Sequence, residues 1–288
     1  MAEDVAPRAM RAMHAMRAMQ AMHAYYERGE EAGRLDEPRG RLEFERTKEI
    51  VLRQLPPPPA TVADIGGGPG RYALWLAELG YQVMHRDLMP LHVDQLRRAA
   101  AGDTRIGSRV ADARELDLAS GSVDAALLLG PLYHLTRRAD RVQALTEAAR
   151  VVRPGGPVFA AAISRWAARI DGILRARLYR AFSQAEPLLG SSERTGRLTP
   201  LYPGSFSGYT HRPGQLRAEV TASGLRLADL VCVEGPAFLL DDLGPRLADP
   251  QDRRVVLETA RALERVPELI GIGPHLLATA HRRQGGHR

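Results

Sequence analysis

The stretch VADIGGGPGRY, residues 62–72, decides how the core of this chain folds. Its apolar beginning predicts a buried strand, and four glycines then form a turn before a run that is typical of a helix. Glycine at such a turn lets the backbone adopt a positive φ and approach a ligand where a Cβ would clash. The turn therefore predicts a binding site for a nucleotide, a dinucleotide or an adenosine ligand without a phosphate.

Two phosphate-binding alternatives lack their diagnostic residues. A dinucleotide motif G-x-G-x-x-G that begins at Gly66 requires glycine at the position of Arg71, and one that begins at Gly67 meets Pro69. A P-loop requires the triplet Gly-Lys-Ser/Thr at the end of the turn, and no such triplet follows. The residues of the turn thus favour an adenosine ligand that carries no phosphate.

Short apolar runs alternate with helical runs in the residues around the turn. The predicted strands are TVADI (61–65), YQVMHRD (81–87), GSRVAD (107–112), SVDAALLLG (122–130) and PVFAAAI (157–163). Strands that alternate with helices require right-handed crossovers, so the pattern predicts a parallel sheet with helices on both faces.

Two further strands, RLADLVCVEG (226–235) and HLLATAHR (275–282), follow after an insertion. The insertion spans roughly sixty residues, which is too long for a simple connection and predicts a lid. Trp166, Ile170, Leu174 and Leu178 recur at intervals of four within it, a spacing that predicts one amphipathic helix.

The residues before the turn contain a predicted helix and a repeat. GRLEFERTKEIVLRQL (40–55) predicts an amphipathic helix that the prolines at 56–59 end. In RAMRAMHAMRAMQAMHA (8–24) methionine recurs at every third residue, and in a helix each such step falls about 60° short of a full circle. The methionines would spiral around the helix, so we interpret the repeat as a low-complexity extension whose true start can be any of them.

The composition predicts a globular protein without a nucleic-acid or membrane partner. The 288 residues are 44% hydrophobic and carry a net charge of +6, but the basic residues are arginines mixed with acids, and Lys48 is the sole lysine. Basic blocks interleaved with aromatics, the usual sign of nucleic-acid binding, are missing. Cys232 alone can form neither an intrachain disulfide nor a cysteine metal cluster. No apolar run reaches the ~18 residues of a membrane span, so a cytoplasmic location is expected.

The turn D-I-G-G-G-P-G resembles the first motif of the class I S-adenosylmethionine-dependent methyltransferases. Three further features match that family: Asp87 ends the second strand, Asp112 ends the third, and RPGG precedes the fifth. The resemblance extends over residues 61–163. It implies an α/β fold, a Rossmann-like, doubly wound, seven-stranded sheet whose last strand is antiparallel, with a helical cap or lid.

The expected organisation of the chain follows from this resemblance. We expect an extension (1–24), a helical cap (25–60), an S-adenosylmethionine-binding core (61–163), an inserted lid or substrate segment (164–224) and C-terminal strands that complete the core (225–288).

The resemblance also implies a cofactor site. Gly66 and Gly68 would let the backbone approach the cofactor, and Asp87 would accept hydrogen bonds from the two ribose hydroxyls. Met89 would lie against the adenine, with Asp112 and the backbone of Ala113 at its polar edge. The remaining predicted cofactor residues are Asp64 and Arg71 near the amino-acid end, Gly130, and Tyr25 as a cover.

Catalytic candidates lie after the fourth strand, in LLLGPLYHL (127–135), where the reactive methyl group lies in relatives. Enzymes that methylate the amino group of DNA adenine have a polar residue where this chain has Gly130, so base methylation is disfavoured. His134 is the candidate general base because its ordinary pKa lies near physiological pH. Tyr133 and Tyr26 are further catalytic candidates, and Tyr209 and His211 are the predicted substrate contacts.

The predicted function is transfer of a methyl group from S-adenosyl-L-methionine to an N, O or C nucleophile of a small organic molecule, such as a secondary metabolite. The product would be S-adenosyl-L-homocysteine, no metal is expected, and the chain would be a monomer or a homodimer. The alternatives are an RNA or protein methyltransferase and a non-catalytic S-adenosylmethionine-binding protein.

Overall fold

The computed structural model describes residues 25–27, 29, 31–202 and 205–284. The predicted low-complexity extension lies outside the described residues. None of the helices described in these ranges is long and apolar enough to cross a membrane.

Five parallel strands form the centre of the sheet, in the order β3-β2-β1-β4-β5. They are β1 (Thr61–Ile65), β2 (Gln82–Asp87), β3 (Ile106–Val110), β4 (Ala125–Leu128) and β5 (Pro157–Ser164). At the β5 side β9 (His275–His281) pairs antiparallel to β5, and β8 (Arg226–Cys232) pairs antiparallel to β9. The predicted seven-stranded, doubly wound sheet with an antiparallel last strand is therefore confirmed.

Helices cover both faces of the sheet. Apart from two α-helices within residues 165–196, the α-helices of the described residues are α1 (Glu31–Arg34), α2 (Pro38–Leu52), α3 (Arg71–Glu78), α4 (Pro90–Ala99), α5 (Arg138–Val151), α8 (Pro213–Ala222), α9 (Leu243–Ala248) and α10 (Pro250–Leu263). Because neighbouring strand residues point to opposite faces, Leu128 packs with α5 and α8, whereas Leu127 packs with α2, α3 and α4. The buried strands are apolar on both faces, which is typical of a parallel sheet.

The insertion does not contain the single amphipathic helix predicted for it. It holds α6 (Ala167–Arg169), a π-helical turn (Ile170–Arg175), a 3-10 turn (Leu178–Arg180) and α7 (Ala185–Thr195). Arg177 has a φ of +52°, which ends the helical path, and Leu174 is 69% exposed. Gly172 allows the close return of the chain, because a Cβ there would lie 2.9 Å from Leu178. The apolar side chains spaced four residues apart therefore do not lie together on one buried face of a helix.

Two short strands of the insertion were missed in the sequence: β6 (Arg197–Leu198) and β7 (Gly208–His211). β4 pairs only with the beginning of β5, and β7 pairs parallel to its end, at Ile163 and Ser164. Since β9 occupies the other edge of β5 at Ile163, β7 lies beyond the carboxyl end of β4. The insertion thus returns to the edge of the sheet where the glycine turn lies.

Candidate functional site

A cavity of about 980 Å³ lies at the carboxyl ends of the parallel strands. Its wall is formed by the glycine turn after β1, the loops after β2, β3 and β4, and side chains of residues 26–43. The volume is at the upper end of the usual range for small-molecule and cofactor sites, and the position is where open α/β sheets bind ligands.

The glycine turn is packed closely against the loop after β4. Gly66 has a φ of +63°, and a Cβ on it would lie 2.4 Å from the ring of Pro131. A Cβ on Gly130 would lie 2.6 Å from the carbonyl oxygen of Gly66. A Cβ on Gly68, in contrast, would have no atom within 4 Å, and Gly68 lines the cavity. The turn therefore presents bare backbone to the ligand space.

Asp64 ends β1 with a buried carboxylate that faces the cavity. Neither of its oxygens meets the geometry of a hydrogen bond with a described residue, although the backbone N–H of Ala73 is near enough to oppose the rise of its pKa. Burial, together with the nearby negative charge of Asp87, raises the pKa of Asp64 to about 7. An unpaired buried carboxylate is costly, so this position suits a cationic group of a ligand.

Asp87 is held by donors from three parts of the chain. Gly68 N–H donates to Oδ2 over 2.8 Å, Met89 N–H donates to Oδ1 over 2.8 Å, and His92 Nδ1 lies 3.1 Å from Oδ1. Burial alone would raise the pKa of Asp87, but His92 and the two backbone amides lower it below its usual value. The carboxylate is thus ionised and oriented at the cavity wall.

The loop after β3 forms the opposite wall. Asp112 and Ala113 both line the cavity. The carboxylate of Asp112 accepts three hydrogen bonds from the side chain of Arg114 and one from its backbone, which hold its pKa low in spite of partial burial. Met89 is buried and also lines the cavity.

Arg71 lies at the start of α3 and borders the cavity. Its Nη2 pairs with Asp36 at 2.8 Å, and its buried Nε has no partner within the part of the chain that is described. Arg71 therefore retains a donor for a ligand.

The loop after β4 brings three predicted residues together. The hydroxyl of Tyr26 lies 2.6 Å from Nε2 of His134, and the ring of Tyr133 lies 4.7 Å from the ring of His134. All three line the cavity. Burial lowers the pKa of His134 to about 4, so its imidazole is neutral at physiological pH. Burial raises the pKa of Tyr26, so the phenol keeps its proton, and it donates this proton to Nε2 when the neutral imidazole carries its own proton on Nδ1.

Tyr25 lies behind this group. Its ring packs against Tyr26 at 5.1 Å and against Phe206 of the insertion at 5.7 Å, and it is not among the residues that line the cavity. The role of Tyr25 as a cover of the cofactor stays a prediction; in the structure its ring packs against Tyr26.

Tyr209 and His211 do not contact the cavity, contrary to the prediction. Both are buried, with the guanidinium of Arg141 3.6 Å from the centre of the Tyr209 ring. His211 Nε2 lies 3.0 Å from Glu219, which also binds Arg141. The physical reason is that β7 pairs with β5 and turns these side chains toward α5 and α8. Arg141 also donates to the carbonyl of Leu135, so the cluster anchors the loop that carries His134.

Several cavity residues were not predicted. His92 lies in the first turn of α4, which begins with a proline. This pattern predicts the start of a helix, but it does not predict the contact between His92 and Asp87. Glu31, Arg34 and Glu43 also line the cavity, where Arg34 pairs with both acids at 2.8 and 2.5 Å. Their pairing depends on how the cap packs, which no local pattern reveals.

Glu43, Glu234 and His275 place ligand-type atoms within 4.8 Å of one another behind the cavity. Burial opposes the charged form of His275, but the two acids raise its pKa to about 9, and its Nδ1 donates to Glu234 at 2.5 Å. Arg34 already pairs with Glu43. The charges of this cluster therefore pair with one another and with Arg34.

Comparison with known proteins gives one family. A family described as "Methyltransferase domain" matches residues 63–160. A ubiquinone/menaquinone biosynthesis C-methyltransferase of Acidiphilium cryptum is 35% identical over 122 residues, which are 41% of this chain and 48% of that protein. A ubiquinone biosynthesis O-methyltransferase of Xanthomonas axonopodis is 28% identical over 63% of this chain and 69% of its own length. The chain thus spans about half or less of the first three relatives that it matches.

Among solved structures, the fold is similar to that of a putative methyltransferase of Haloferax volcanii in complex with the Trm112 methyltransferase activator. The TM-score is 0.58 and the identity 17%, and the match covers 92% of this chain and 99% of that one. At this identity the likeness shows the fold alone.

Proposed function

We propose that this chain is an S-adenosylmethionine-dependent methyltransferase that methylates an N, O or C nucleophile of a small organic molecule, and the match of residues 63–160 to the methyltransferase domain family supports this. The cofactor of the family is S-adenosylmethionine. The observation that carries the proposal is the unpaired, buried carboxylate of Asp64 beside the bare backbone of the glycine turn.

The residues at the cavity fit the cofactor. Asp64 would pair with the ammonium of its amino-acid end, and Arg71 has a free Nε–H for the carboxylate. Asp87 would bind the ribose, and Asp112 would share its carboxylate between Arg114 and the adenine amine. Gly68 leaves room for the ligand against the backbone.

When bound, S-adenosylmethionine supplies a methyl group on a positively charged sulfur, a strongly activated leaving group. The chain has to orient the nucleophile in line with that group and exclude water. Gly130 and Pro131, which pack on Gly66, set the floor of the cavity where β4 ends. Tyr133, Tyr26 and Leu35 supply an apolar wall beside it.

His134 is the proposed proton acceptor. In the tautomer with its proton on Nδ1, the neutral imidazole carries a lone pair on Nε2, and the hydroxyl of Tyr26 lies 2.6 Å from it. A hydroxyl or amine nucleophile would lose its proton either to Nε2 after Tyr26 moves, or to the Tyr26 oxygen while Tyr26 gives its own proton to His134. A nucleophile without an acidic proton would need neither route.

The test is calorimetric binding of S-adenosylmethionine to the wild-type protein and to Asp87→Ala. We expect the variant to bind at least about tenfold more weakly, which corresponds to about 1.4 kcal/mol. The matched control is Asp103→Ala, an acid that pairs with Arg105 and does not line the cavity. Equal affinities of the wild type and Asp87→Ala would contradict the proposed site.

Methyl transfer itself is tested by release of S-adenosylhomocysteine with a panel of phenols, amines and activated carbon acids. Turnover of any of these supports small-molecule methylation. Tight cofactor binding without turnover on the panel, but with turnover on RNA or protein, would move the substrate to the macromolecular class. Binding without turnover on any acceptor would indicate a non-catalytic binding protein.

A further inference from the structure

The hydroxyl of Tyr133 is a hydrogen-bond donor that faces the cavity. Tyr133 lines the cavity, and its hydroxyl forms no hydrogen bond with a described residue, whereas the hydroxyl of Tyr26 lies 2.6 Å from His134. Burial raises the pKa of Tyr133, so the hydroxyl keeps its proton. A phenol in a buried position usually has a hydrogen-bond partner, so this hydroxyl suits an acceptor atom of a ligand.

This hydroxyl lies where β4 ends. A Cβ on Gly130 would lie 3.7 Å from the hydroxyl oxygen of Tyr133 and 2.6 Å from the carbonyl oxygen of Gly66 in the glycine turn. In the proposed function the methyl group is presented at this end of β4. The hydroxyl of Tyr133 is therefore placed to bind the substrate next to the atom that is methylated.

Two phenol rings lie against the same imidazole. The ring of Tyr133 is 4.7 Å from the ring of His134, and the ring of Tyr26 is 5.4 Å from it. Phe206 of the insertion packs against the ring of Tyr133 at 6.1 Å. Burial raises the pKa of Tyr26 and Tyr133 raises it further, so the two phenols are close enough to interact. Their hydroxyls thus lie on one wall of the cavity.

The charges around Tyr133 act in both directions on an anion at this wall. Among the charged groups that affect the pKa of Tyr133, Arg34 has the largest effect and favours a negative charge. Glu31, Glu43 and Asp87 disfavour one. A negative oxygen is therefore stable at this wall only with direct donors, and the two phenols are such donors.

Two donors on one wall select among the possible nucleophiles. A neutral amine attacks with its single lone pair, and a donor on that lone pair blocks the attack. An ionised oxygen has several lone pairs, so it can accept from both phenols and still attack with another. Donors that are fixed before the reaction stabilise such an oxygen without reorganisation.

We propose that Tyr133 and Tyr26 together bind the ionised oxygen of a phenol or an enol, and that the substrate is methylated on this oxygen. Tyr26 takes the proton of the substrate hydroxyl as it gives its own proton to Nε2 of His134, and Tyr133 keeps its proton. The substrate oxygen keeps the electron pair of its O–H bond and shares a pair with the methyl carbon, while the pair of the broken carbon–sulfur bond stays on sulfur. This inference rests on the proposed function and narrows its substrate class.

The experiment compares the binding of two probes of similar shape to the complex with S-adenosylhomocysteine. The probes are 4-nitrophenol, at a pH at which it is ionised in solution, and 4-nitroaniline. Calorimetry should show that the wild-type complex binds the phenolate at least about tenfold more tightly than the amine, as for a hydrogen bond to a charged group. The visible absorption band of the phenolate should also shift on binding, because donors stabilise its charge.

Tyr133→Phe tests the residue, since it removes the hydroxyl and keeps the ring against His134. We expect about tenfold weaker binding of the phenolate, a smaller shift of its absorption band, and affinities for 4-nitroaniline and S-adenosylhomocysteine within about threefold of the wild type. The matched control is Tyr179→Phe, because Tyr179 is 44% exposed and does not line the cavity. This control should change none of these affinities.

Distinct results overturn the inference and the proposed function. Equal affinities of the wild-type complex for the two probes, or no binding of 4-nitrophenolate, overturn the selection of an ionised oxygen. An unchanged phenolate affinity in Tyr133→Phe, or equal losses for both probes, overturns the role of the Tyr133 hydroxyl, because a general defect of the pocket weakens both alike. Failure of the wild type to bind S-adenosylhomocysteine overturns the proposed function itself.

Discussion

The hydroxyl of Tyr26 lies 2.6 Å from Nε2 of His134, although 108 residues separate the two in the chain. The contact joins the segment before α1 to the loop after β4, and with the imidazole proton on Nδ1 it places a protonated phenol on the lone pair of the neutral ring. A hydrogen bond to the neutral form of a base lowers its pKa further.

Tyr26→Phe should therefore raise the pKa of His134 from about 4. The expected rise is up to about one unit, because one hydrogen bond to the neutral form is lost while burial remains. Titration of the imidazole resonances by NMR measures it. The control is His85, whose pKa of about 4 results from its own burial and whose ring bonds to Ser108 and Gly68, so that its titration should not change. If the pKa of His134 is the same in Tyr26→Phe as in the wild type, the hydrogen bond from Tyr26 does not lower the pKa of the imidazole.

Asp64 should make cofactor affinity depend on pH. Its pKa of about 7 means that the carboxyl is largely protonated at pH 6 and ionised at pH 8. The ammonium of the cofactor pairs with the ionised form, so the affinity for S-adenosylmethionine should rise from pH 6 to pH 8. Asp64→Asn should bind more weakly at pH 8 and lose most of this dependence. Calorimetry at three pH values checks it, and an unchanged slope in the variant would count against the role of Asp64.

Asp64 should also lower stability at high pH. Its folded-state pKa, about 7, lies above the ordinary value of 3.8, so its contribution to stability is fully present below pH 3.8 and is lost as pH rises through 7. Asp64→Asn should therefore raise the melting temperature of the cofactor-free protein at pH 8 more than at pH 5. Thermal unfolding at the two pH values measures the difference, and an equal shift at both would contradict it.

Gly68→Ala should lower the affinity for S-adenosylmethionine in addition to lowering the stability of the fold. Gly68 and Gly224 have φ values of +58° and +87°, and a Cβ at either would have no atom within 4 Å. Alanine at such a φ costs about 1 kcal/mol of stability or more at both positions. Only Gly68 lines the cavity, so Gly224→Ala is the matched control. The expected result is a similar loss of melting temperature in both variants and a loss of S-adenosylmethionine affinity in Gly68→Ala alone.

Arg141→Met should destabilise the fold strongly. Arg141 and Glu219 are both buried, and removal of one partner leaves an uncompensated charge, at a cost of about 3–5 kcal/mol. Arg175→Met, which breaks the exposed pair with Asp171, should cost less than about 1 kcal/mol. Denaturant unfolding compares the two, and similar losses would contradict the role of burial.

The same pair should contribute to acid sensitivity. Burial opposes ionisation of Glu219, but Arg141 and His211 lower its pKa to about 2. Its contribution to stability is therefore present above the ordinary value of 4.5 and is lost as pH falls toward 2.

The sequence by itself determined the alternation of core strands and helices, the turn at Gly66 and Gly68, and the acids at the strand ends. These features are local. The period of a strand or a helix, a glycine turn and the end of a strand can each be recognised within about ten residues. The edge of a parallel sheet then brings Asp64, Asp87 and Asp112 to one cavity.

Only the tertiary structure decided which side chains meet across that cavity. His92 was missed and Tyr209 was misplaced, because one depends on the approach of α4 to Asp87 and the other on the pairing of β7 with β5. The helix predicted from Trp166 to Leu178 was wrong: Arg177 has a positive φ that ends the helical path, and Trp166 and Leu174 remain exposed. The period of the apolar residues shows which face of a segment can be buried. Packing against distant segments decides whether that face is buried.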